Sequence, residues 1–364
     1  MQEYRVAVVG CGYVANGHLE SWKKIRQARV VAVSDVNEKL AKRTADLWKI
    51  PASFPSLSEL IEHSKIDVVD VCTPPHTHAD LAVQAMKAGF NVLIEKPMTM
   101  TVEDAEKIVE CQRVTGVKAG VIHNWLFDTP VIEAISLVKK GLLGEVFSAE
   151  IEALNTKHDS MAANSSHWCH RFPGGRFSEM LAHPIYLLRH FLGEIDVASV
   201  EVSKIGDYPW MKSDELSCIF RSETGLGRAY ASFNSSRDAI FINLYGRKGI
   251  MKLELINSTL NFLPGGRPSR YGKGFDSARQ ATQLLKSTAK NVGKIASGRW
   301  MSGHETFIKR YVDSLVRGLT PPVTVEDGLI VVRTLEEVLS LIDKKEREHK
   351  RSQARDDGGV YTLK

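Results

Sequence analysis

Two ionisable side chains are spaced as hydride chemistry would need them. Lys96 follows the apolar run "NVLI" within "EKP", and His183 lies four residues after Glu179 in "GGRFSEMLAH", residues 174–183. An ammonium group can stabilise a developing alkoxide or polarise a carbonyl. An imidazole can move the accompanying proton, because its unperturbed pKa of about 6.5 lies near operating pH. Glu179, at helical spacing, would orient His183 or bind a substrate hydroxyl, and its other reading is a buried carboxylate paired locally. Pro184 suits a first helical turn better than an interior.

This chemistry needs no metal. His167, Cys169 and His170 crowd one short stretch, "SSHWCHRFPGG", too tightly for three ligands to share one zinc, and no second cluster matches them. His167, Trp168, His170 and Arg171 are instead candidates to line a substrate pocket. Trp168 would stack on a sugar or base and Arg171 would pair with a phosphate; ordinary loop residues are the competing reading.

Hydride transfer requires an acceptor, and the N-terminus supplies a place for one. "YRVAVVG" reads as a strand buried on both faces, and it runs into "GCGYVANGHLESW". In that turn Gly10 permits the bend, Gly12 lets the backbone approach a pyrophosphate, and Ala15 lets the helix pack closely. Tyr13 and Val14 open the helix, whose first N–H groups would face the phosphates. A second strand, "ARVVAVSD", ends in Asp35, which would accept bonds from a ribose diol and repel a 2′-phosphate. No arginine follows at once, so NAD is favoured, with NADP the alternative.

The alternation continues. "LSELIEH" reads as helix, "IDVVDVCTPP" as strand, "HADLAVQAMKAG" as helix closed by Gly89, and "NVLIEKP" as strand. "VEDAEKIVECQRVTG" is a helix ending at Gly116, and "KAGVIHN" a further strand. Such alternation predicts an α/β fold with a parallel, doubly wound sheet that binds its ligand at the strand C-termini. The loop "TPPHTH" adds Thr73, Pro74, Pro75 and His78 to the cofactor candidates there, and "EKP" adds Glu95 beside Lys96.

With "GCGYVANGHL", Asp35, "CTPPHTHADLA" and "EKPM" in one register, the chain resembles the glucose–fructose oxidoreductase, inositol dehydrogenase and MocA family. The similarity extends through "NWLFDTPVIEAISLVKKGLLGEV" and the GG…H motif to "FIKRYVDSLVRGLTPPVTVEDGLIVVRTLEEV". The resemblance implies a Rossmann NAD(P)-binding domain at 1–123. It implies a C-terminal α/β domain at 124–364 with a large, mostly antiparallel open sheet, a surface that often joins the subunits of a homo-oligomer. It makes Lys96 a substrate contact beside the nicotinamide and His183 the acid/base. Asn124 and Trp125 of "NWLF" join the substrate candidates. The family's late motif aligns at Gly174, Gly175, Glu179, Leu181 and His183, with Glu179 for the usual aspartate and Leu181 for the usual glycine. Leu126 stands where many members carry arginine. These departures should reshape the pocket.

Composition fits a globular protein: 364 residues, 43% hydrophobic and 25% charged, with no apolar run near the roughly 20 residues that span a bilayer. The five cysteines (Cys11, Cys72, Cys111, Cys169, Cys218) are scattered. They suit a reducing compartment, and with no leader read at the N-terminus the expectation is cytoplasmic. The net charge of +5 is uneven: residues 264–303 hold eight Lys/Arg, Arg270 among them, and only Asp276 as an acid. Within this basic insert of about 260–303, residues 275–296 read as an amphipathic helix. Arg279, Lys286, Lys290 and Lys294 form one stripe, opposite Ala278, Ala281, Leu284, Leu285, Val292 and Ile295.

Three readings of that helix stay open. Its apolar face packs on the body, or it overhangs the active site and binds substrate phosphates, or it lies on an anionic membrane surface. No aromatic-interleaved motif points to nucleic acid. The sequence therefore reads as an oxidoreductase moving hydride between nicotinamide and a sugar-like secondary alcohol or ketone, with polyols, sugars and nucleotide-linked sugars as the substrate classes. The alternatives are an enzyme that recycles tightly bound NAD during epimerisation, elimination or hydrolysis, and a non-catalytic NAD sensor.

Overall fold

The computed structural model describes residues 3–267 and 272–357, so Arg270 lies outside the described residues. Two compact units emerge, one formed by 1–129 with 301–333 and the other by 130–300 with 334–364.

The first unit is built on six parallel strands in the order β3-β2-β1-β4-β5-β6. They are β1 (Tyr4–Val9), β2 (Ala28–Ser34), β3 (Ala52–Phe54), β4 (Val68–Val71), β5 (Asn91–Ile94) and β6 (Ala119–Val121). Val6, Val8, Val68, Val69, Val71, Leu93 and Ile94 are fully buried, as a sheet covered on both faces requires. The connecting helices are α1 (Tyr13–Lys23), α2 (Glu38–Trp48), α3 (Leu57–His63), α4 (His78–Lys87) and α5 (Val102–Thr115). Sequence reading passed over α2 and β3. The first lies in a charged stretch and the second is three residues long, too short to show a period.

Local chemistry sets the helix ends. Asn37, Ser56 and Thr101 each accept a first-turn N–H with the side chain, and Gly116 ends α5 at φ +69°. The chain returns to this unit late. In α10 (Gly303–Arg317) the buried Tyr311 donates from its hydroxyl to the carbonyls of Val92 and Lys118, each at 3.1 Å. That seals the end of the sheet where β5 and β6 begin.

The second unit carries seven strands in the order β13-β12-β11-β7-β10-β9-β8. They are β7 (Val146–Thr156), β8 (Ile195–Ser203), β9 (Glu215–Ser222), β10 (Leu226–Ser235), β11 (Ala239–Gly246), β12 (Gly249–Glu254) and β13 (Thr259–Pro264). Every pairing is antiparallel except β7 with β10. Gly227, Ala229 and Ala231 of β10 turn inward, where a Cβ on Gly227 would meet Leu188 and Leu192 of α8 (Ala182–Leu192). Their neighbours Leu226 and Tyr230 are exposed, as is Phe241 of β11. The unit also holds α6 (Thr129–Lys139, its first residue counted in the first unit), α7 (Phe177–Met180) and α9 (Gly272–Ala296). The last helix, α11 (Val325–Asp357), starts in the first unit and ends in the second.

The simplest reading of the basic helix is overturned. The side of α9 that meets β13 is polar: Gln283 accepts from the Phe262 N–H at 2.8 Å and donates to its carbonyl at 3.0 Å. Asn291, the one buried residue of α9, donates to the carbonyls of Asn257 and Ser258 at 3.1 and 2.9 Å. An edge strand presents unpaired N–H and C=O groups, and carboxamides satisfy them where leucines cannot. The apolar row is therefore left outside.

Candidate active site

Three loops at the strand C-termini build the nucleotide side. Gly10 has φ +93°, and a Cβ there would lie 2.8 Å from the backbone of Cys72 and Thr73, so the turn after β1 sits directly on the end of β4. At Gly12 a Cβ would meet nothing within 4 Å, and as N-cap of α1 it contributes no side chain to the first-turn N–H groups. Ala15 is buried against the sheet, while Tyr13 is exposed and Val14 half-buried. These two glycines separate two effects. Gly10→Ala is expected to cost at least about 2 kcal/mol from its left-handed backbone and the clash together. Gly12→Ala should leave stability unchanged and weaken NAD binding by filling phosphate space. Urea unfolding and NAD titration, run on both variants, would check this.

Asp35 follows β2 directly. Its Oδ2 accepts the Cys11 N–H and its Oδ1 the Asn37 N–H, both at 2.8 Å, which fixes the carboxylate beside the glycine turn. Thr73 accepts from the Thr77 hydroxyl at 2.7 Å, Pro74 accepts from the same hydroxyl at 2.8 Å, and Pro75 opens the short turn between them. His78 is fully buried. Its Nε2 donates to the Thr73 carbonyl at 2.7 Å, and its Nδ1 lies 3.1 and 3.2 Å from the carbonyls of Met98 and Pro97. It therefore packs between the loop after β4 and the loop after β5, a placement that a lone histidine in "TPPHTH" did not announce.

Lys96 is the second residue after β5, and its bond to Pro97 is cis. Its N–H donates to Glu95 Oε2 at 2.8 Å. Glu95 itself is 3% exposed and turns inward, where Oε1 meets His18 Nε2 at 2.8 Å and lies 3.3 Å from His304 Nε2. On its other side the His18 Nδ1 meets Asp70 Oδ2 at 2.8 Å, and Trp22 donates to the same oxygen at 2.6 Å. Burial opposes a charge on His18, but Asp70 outweighs it and holds the imidazole well above its ordinary pKa. Burial likewise pushes Glu95 up, yet its bonds to His18 and His304 win and hold it well below the carboxylate range. Reading the sequence missed this pair, because His18 sits as an unremarkable residue inside α1.

His18, Glu95 and His304 bring their ligand atoms within 4.8 Å of one another, as do His18, Asp70 and Cys72. The 2.8 Å contacts on both imidazole nitrogens are hydrogen-bond distances, with no room for an ion between the atoms. In the stretch after β6, burial takes His123 down to about 3 and Asp128 up to about 7. Asn124 is buried and Trp125 half-buried in the turn between them.

The second unit holds the other candidates. Gly174 and Gly175 both have positive φ, +71° and +53°, and lead into α7. Leu181 separates α7 from α8, so Glu179 and His183 lie on consecutive short helical turns and Pro184 falls in the first turn of α8. Glu179 pairs with the guanidinium of Arg176, whose Nε also reaches Asp159 Oδ1 at 3.1 Å. Arg176 is 6% exposed and lies over the Phe233 ring, 5.3 Å from its centre. Burial would raise the pKa of Asp159, but Arg176 overrides that and lowers it. His183 is nearly buried, with Nδ1 2.7 Å from the Tyr186 hydroxyl. A tautomer in which Nδ1–H donates to that oxygen leaves Nε2 as the proton acceptor. Arg176 and Tyr186 were missed, although both lie within three residues of a chosen candidate.

Trp168 and Arg171 bound one short turn, Trp168–Arg171, with His167 before it. His167 Nδ1 is 3.1 Å from the Cys169 sulfur and its ring lies 5.1 Å from Trp168, whereas His170 Nε2 donates to the Met161 carbonyl at 2.9 Å. Burial lowers the pKa of His167 and pushes the Cys169 thiol up to about 12.

A parallel sheet in the order 3-2-1-4-5-6 with a glycine cradle and an acid at the second strand defines a dinucleotide-binding enzyme fold. Residues 4–123 match the oxidoreductase family's NAD-binding Rossmann model, and 131–252 match the GFO/IDH/MocA C-terminal domain. The chain therefore belongs to the GFO/IDH/MocA family and is an NAD-binding oxidoreductase.

It is 25% identical over 366 residues to myo-inositol 2-dehydrogenase of Thermotoga maritima, covering 96% of this chain and 97% of that one. In fold it is similar to an Agrobacterium radiobacter oxidoreductase solved with NAD+, L-tartaric acid and magnesium. There the TM-score is 0.76 at 15% identity, over 94% of this chain and 96% of the other. It is also similar to the WlbA dehydrogenase of Bordetella pertussis, solved with NADH and UDP-GlcNAcA. The TM-score is 0.75 at 17% identity, over 96% of this chain and 98% of the other.

Proposed function

We propose that the protein moves a hydride between nicotinamide and a secondary alcohol or ketone of a sugar-like substrate. The observation that carries this reading is local to the first unit. A lysine stands at the same sheet edge as the glycine cradle, on a loop packed against His78 beside Thr73 and tied to the core through Glu95. A solvated lysine would need no such anchoring.

In this reading Gly12 and the start of α1 bind the pyrophosphate and Asp35 the ribose, which favours NAD. When bound, NAD supplies the hydride-accepting carbon. Lys96 holds the substrate oxygen and stabilises its negative charge, and His183, with its Nδ1–H held by Tyr186, takes or returns the proton at Nε2. Glu179, paired with Arg176, binds a substrate hydroxyl. Asn124, Trp125, His167, Trp168 and Arg171 complete the substrate contacts. The first 123 residues serve the cofactor and 124–364 the substrate. The exposed side of the second sheet, with Leu226, Tyr230 and Phe241, joins subunits of a homo-oligomer.

A polyol dehydrogenase and a nucleotide-sugar dehydrogenase among the similar proteins set the substrate panel: polyols, free sugars, phosphosugars and nucleotide sugars. Nicotinamide absorbance with NAD and NADP, in both directions, tests the proposal. Reduction with one substrate class, lost in His183→Ala, supports it. Turnover of substrate without net NADH would replace it with internally recycled NAD, and cofactor binding with no turnover of any class would leave a sensor.

A further inference from the structure

The unexplained feature of the second unit is the outward face of α9. Its inner row of Asp276, Gln280, Gln283, Ser287 and Asn291 is spaced three and four residues apart and faces β13. The outer row, Ala278, Ala281, Leu284, Leu285, Val292 and Ile295, is apolar: Leu285 is 70% exposed, Ile295 63%, Val292 60% and Leu284 46%. This inverts the ordinary arrangement, in which a helix buries its apolar stripe and shows its polar one. From Ala278 to Ile295 the row runs about 25 Å along the helix at 1.5 Å per residue.

Charge decides what covers it. Around the helix Arg279, Lys286 and Lys290 fall between the apolar row and the sheet-facing row, and Lys290 also reaches Glu133 of α6 at 3.1 Å. The segment 264–303 has seven more positive than negative charges while the rest of the chain is slightly acidic. A second copy seated on this row would bring two such segments together, like charge on like. A surface that is negative over its whole extent and apolar just beneath answers both halves of the pattern.

We propose that α9 is a membrane-surface anchor, seating its outer apolar row in the interface of an anionic lipid bilayer with Arg279, Lys286 and Lys290 at the headgroups. No described helix is long and apolar enough to cross a membrane, so the contact is peripheral. The row has no tryptophan and Gly293 interrupts its last turn, so binding is reversible and needs the negative lipid.

The test is co-sedimentation of the protein with vesicles of phosphatidylcholine alone and of phosphatidylcholine with phosphatidylglycerol. Binding to the anionic vesicles at low salt, release at high salt and none to phosphatidylcholine alone are expected. K286Q/K290Q should weaken partitioning roughly 25-fold, at about fivefold per lysine. L285E/V292E should abolish it, with NAD binding unchanged in both variants because these side chains are exposed. Equal binding by L285E/V292E, or none by the native protein, overturns the proposal. Loss of a larger oligomer in L285E/V292E, without any vesicle binding, would overturn it in favour of a contact between copies, and capture of an acidic protein in its place would do the same for a protein partner.

Discussion

Lys96→Ala is expected to lower kcat by about 10²–10³-fold, the usual cost of removing one donor to a developing oxyanion. NAD affinity should change by less than about threefold, because a group that acts mainly in the transition state leaves ground-state binding alone. The backbone N–H of residue 96 keeps its bond to Glu95 in the variant, so the loop holds its place. Lys96→Arg should recover only part of the loss, since a planar guanidinium cannot occupy the point an ammonium does.

His183→Ala is expected to cost about 10²–10⁴-fold, the usual range for general acid–base catalysis. If the two groups act on one oxygen, Lys96→Ala/His183→Ala should fall well short of the product of the single losses. Initial rates of nicotinamide absorbance with the active substrate, beside fluorescence titration of NAD, check all five statements. Multiplicative losses would separate the two residues into independent roles.

How much of this was legible from the residues follows from the kind of signal each part emits. The glycine turn, Asp35 and the βα alternation were legible because a buried parallel strand and a pyrophosphate-binding turn each impose a dense local pattern. Strand β3 was not, since three residues carry no period. Which face of α9 packs was not legible for a different reason. Its amphipathic pattern gave the two faces correctly, but which face turns inward depends on an unpaired strand edge brought against it by the fold. Gln283 meets Phe262 across 21 residues, and Asn291 meets Asn257 and Ser258 across 34 and 33. The same holds at the site. Lys96 and His183 were chosen from motifs, whereas the groups that pack around them came from elsewhere in the chain: His18 of α1 meets Glu95, His78 of the loop after β4 meets Met98, and Tyr186 one turn along α8 meets His183. A single sequence shows residues with chemistry better than residues that hold chemistry in place.

The holding residues carry the second large effect. His18→Leu is expected to destabilise the first unit by about 3–5 kcal/mol, the cost of removing one partner from a buried charge pair and leaving the others uncompensated. His18 is fully buried and answers Asp70 on one nitrogen and Glu95 on the other, so no water replaces it. The pH dependence has a defined sign. The folded-state pKa of His18 is raised, so its contribution is complete below the unfolded value of about 6.5 and is lost as pH climbs through the folded one. The folded-state pKa of Glu95 is depressed, so its contribution is present above the unfolded value of about 4.3 and is lost as pH falls through the folded one. The difference between native protein and His18→Leu should therefore be greatest near pH 5–6 and shrink at both ends. Trp22 donates to Asp70 within the cluster and reports its opening directly. Urea titrations read by tryptophan emission at several pH values measure the curve. His18→Leu/Glu95→Gln should be more stable than His18→Leu alone, because it no longer buries the carboxylate that lost its partner. A flat pH profile of the difference, or a double variant weaker than the single one, would mean that His18 contributes by packing and not by charge.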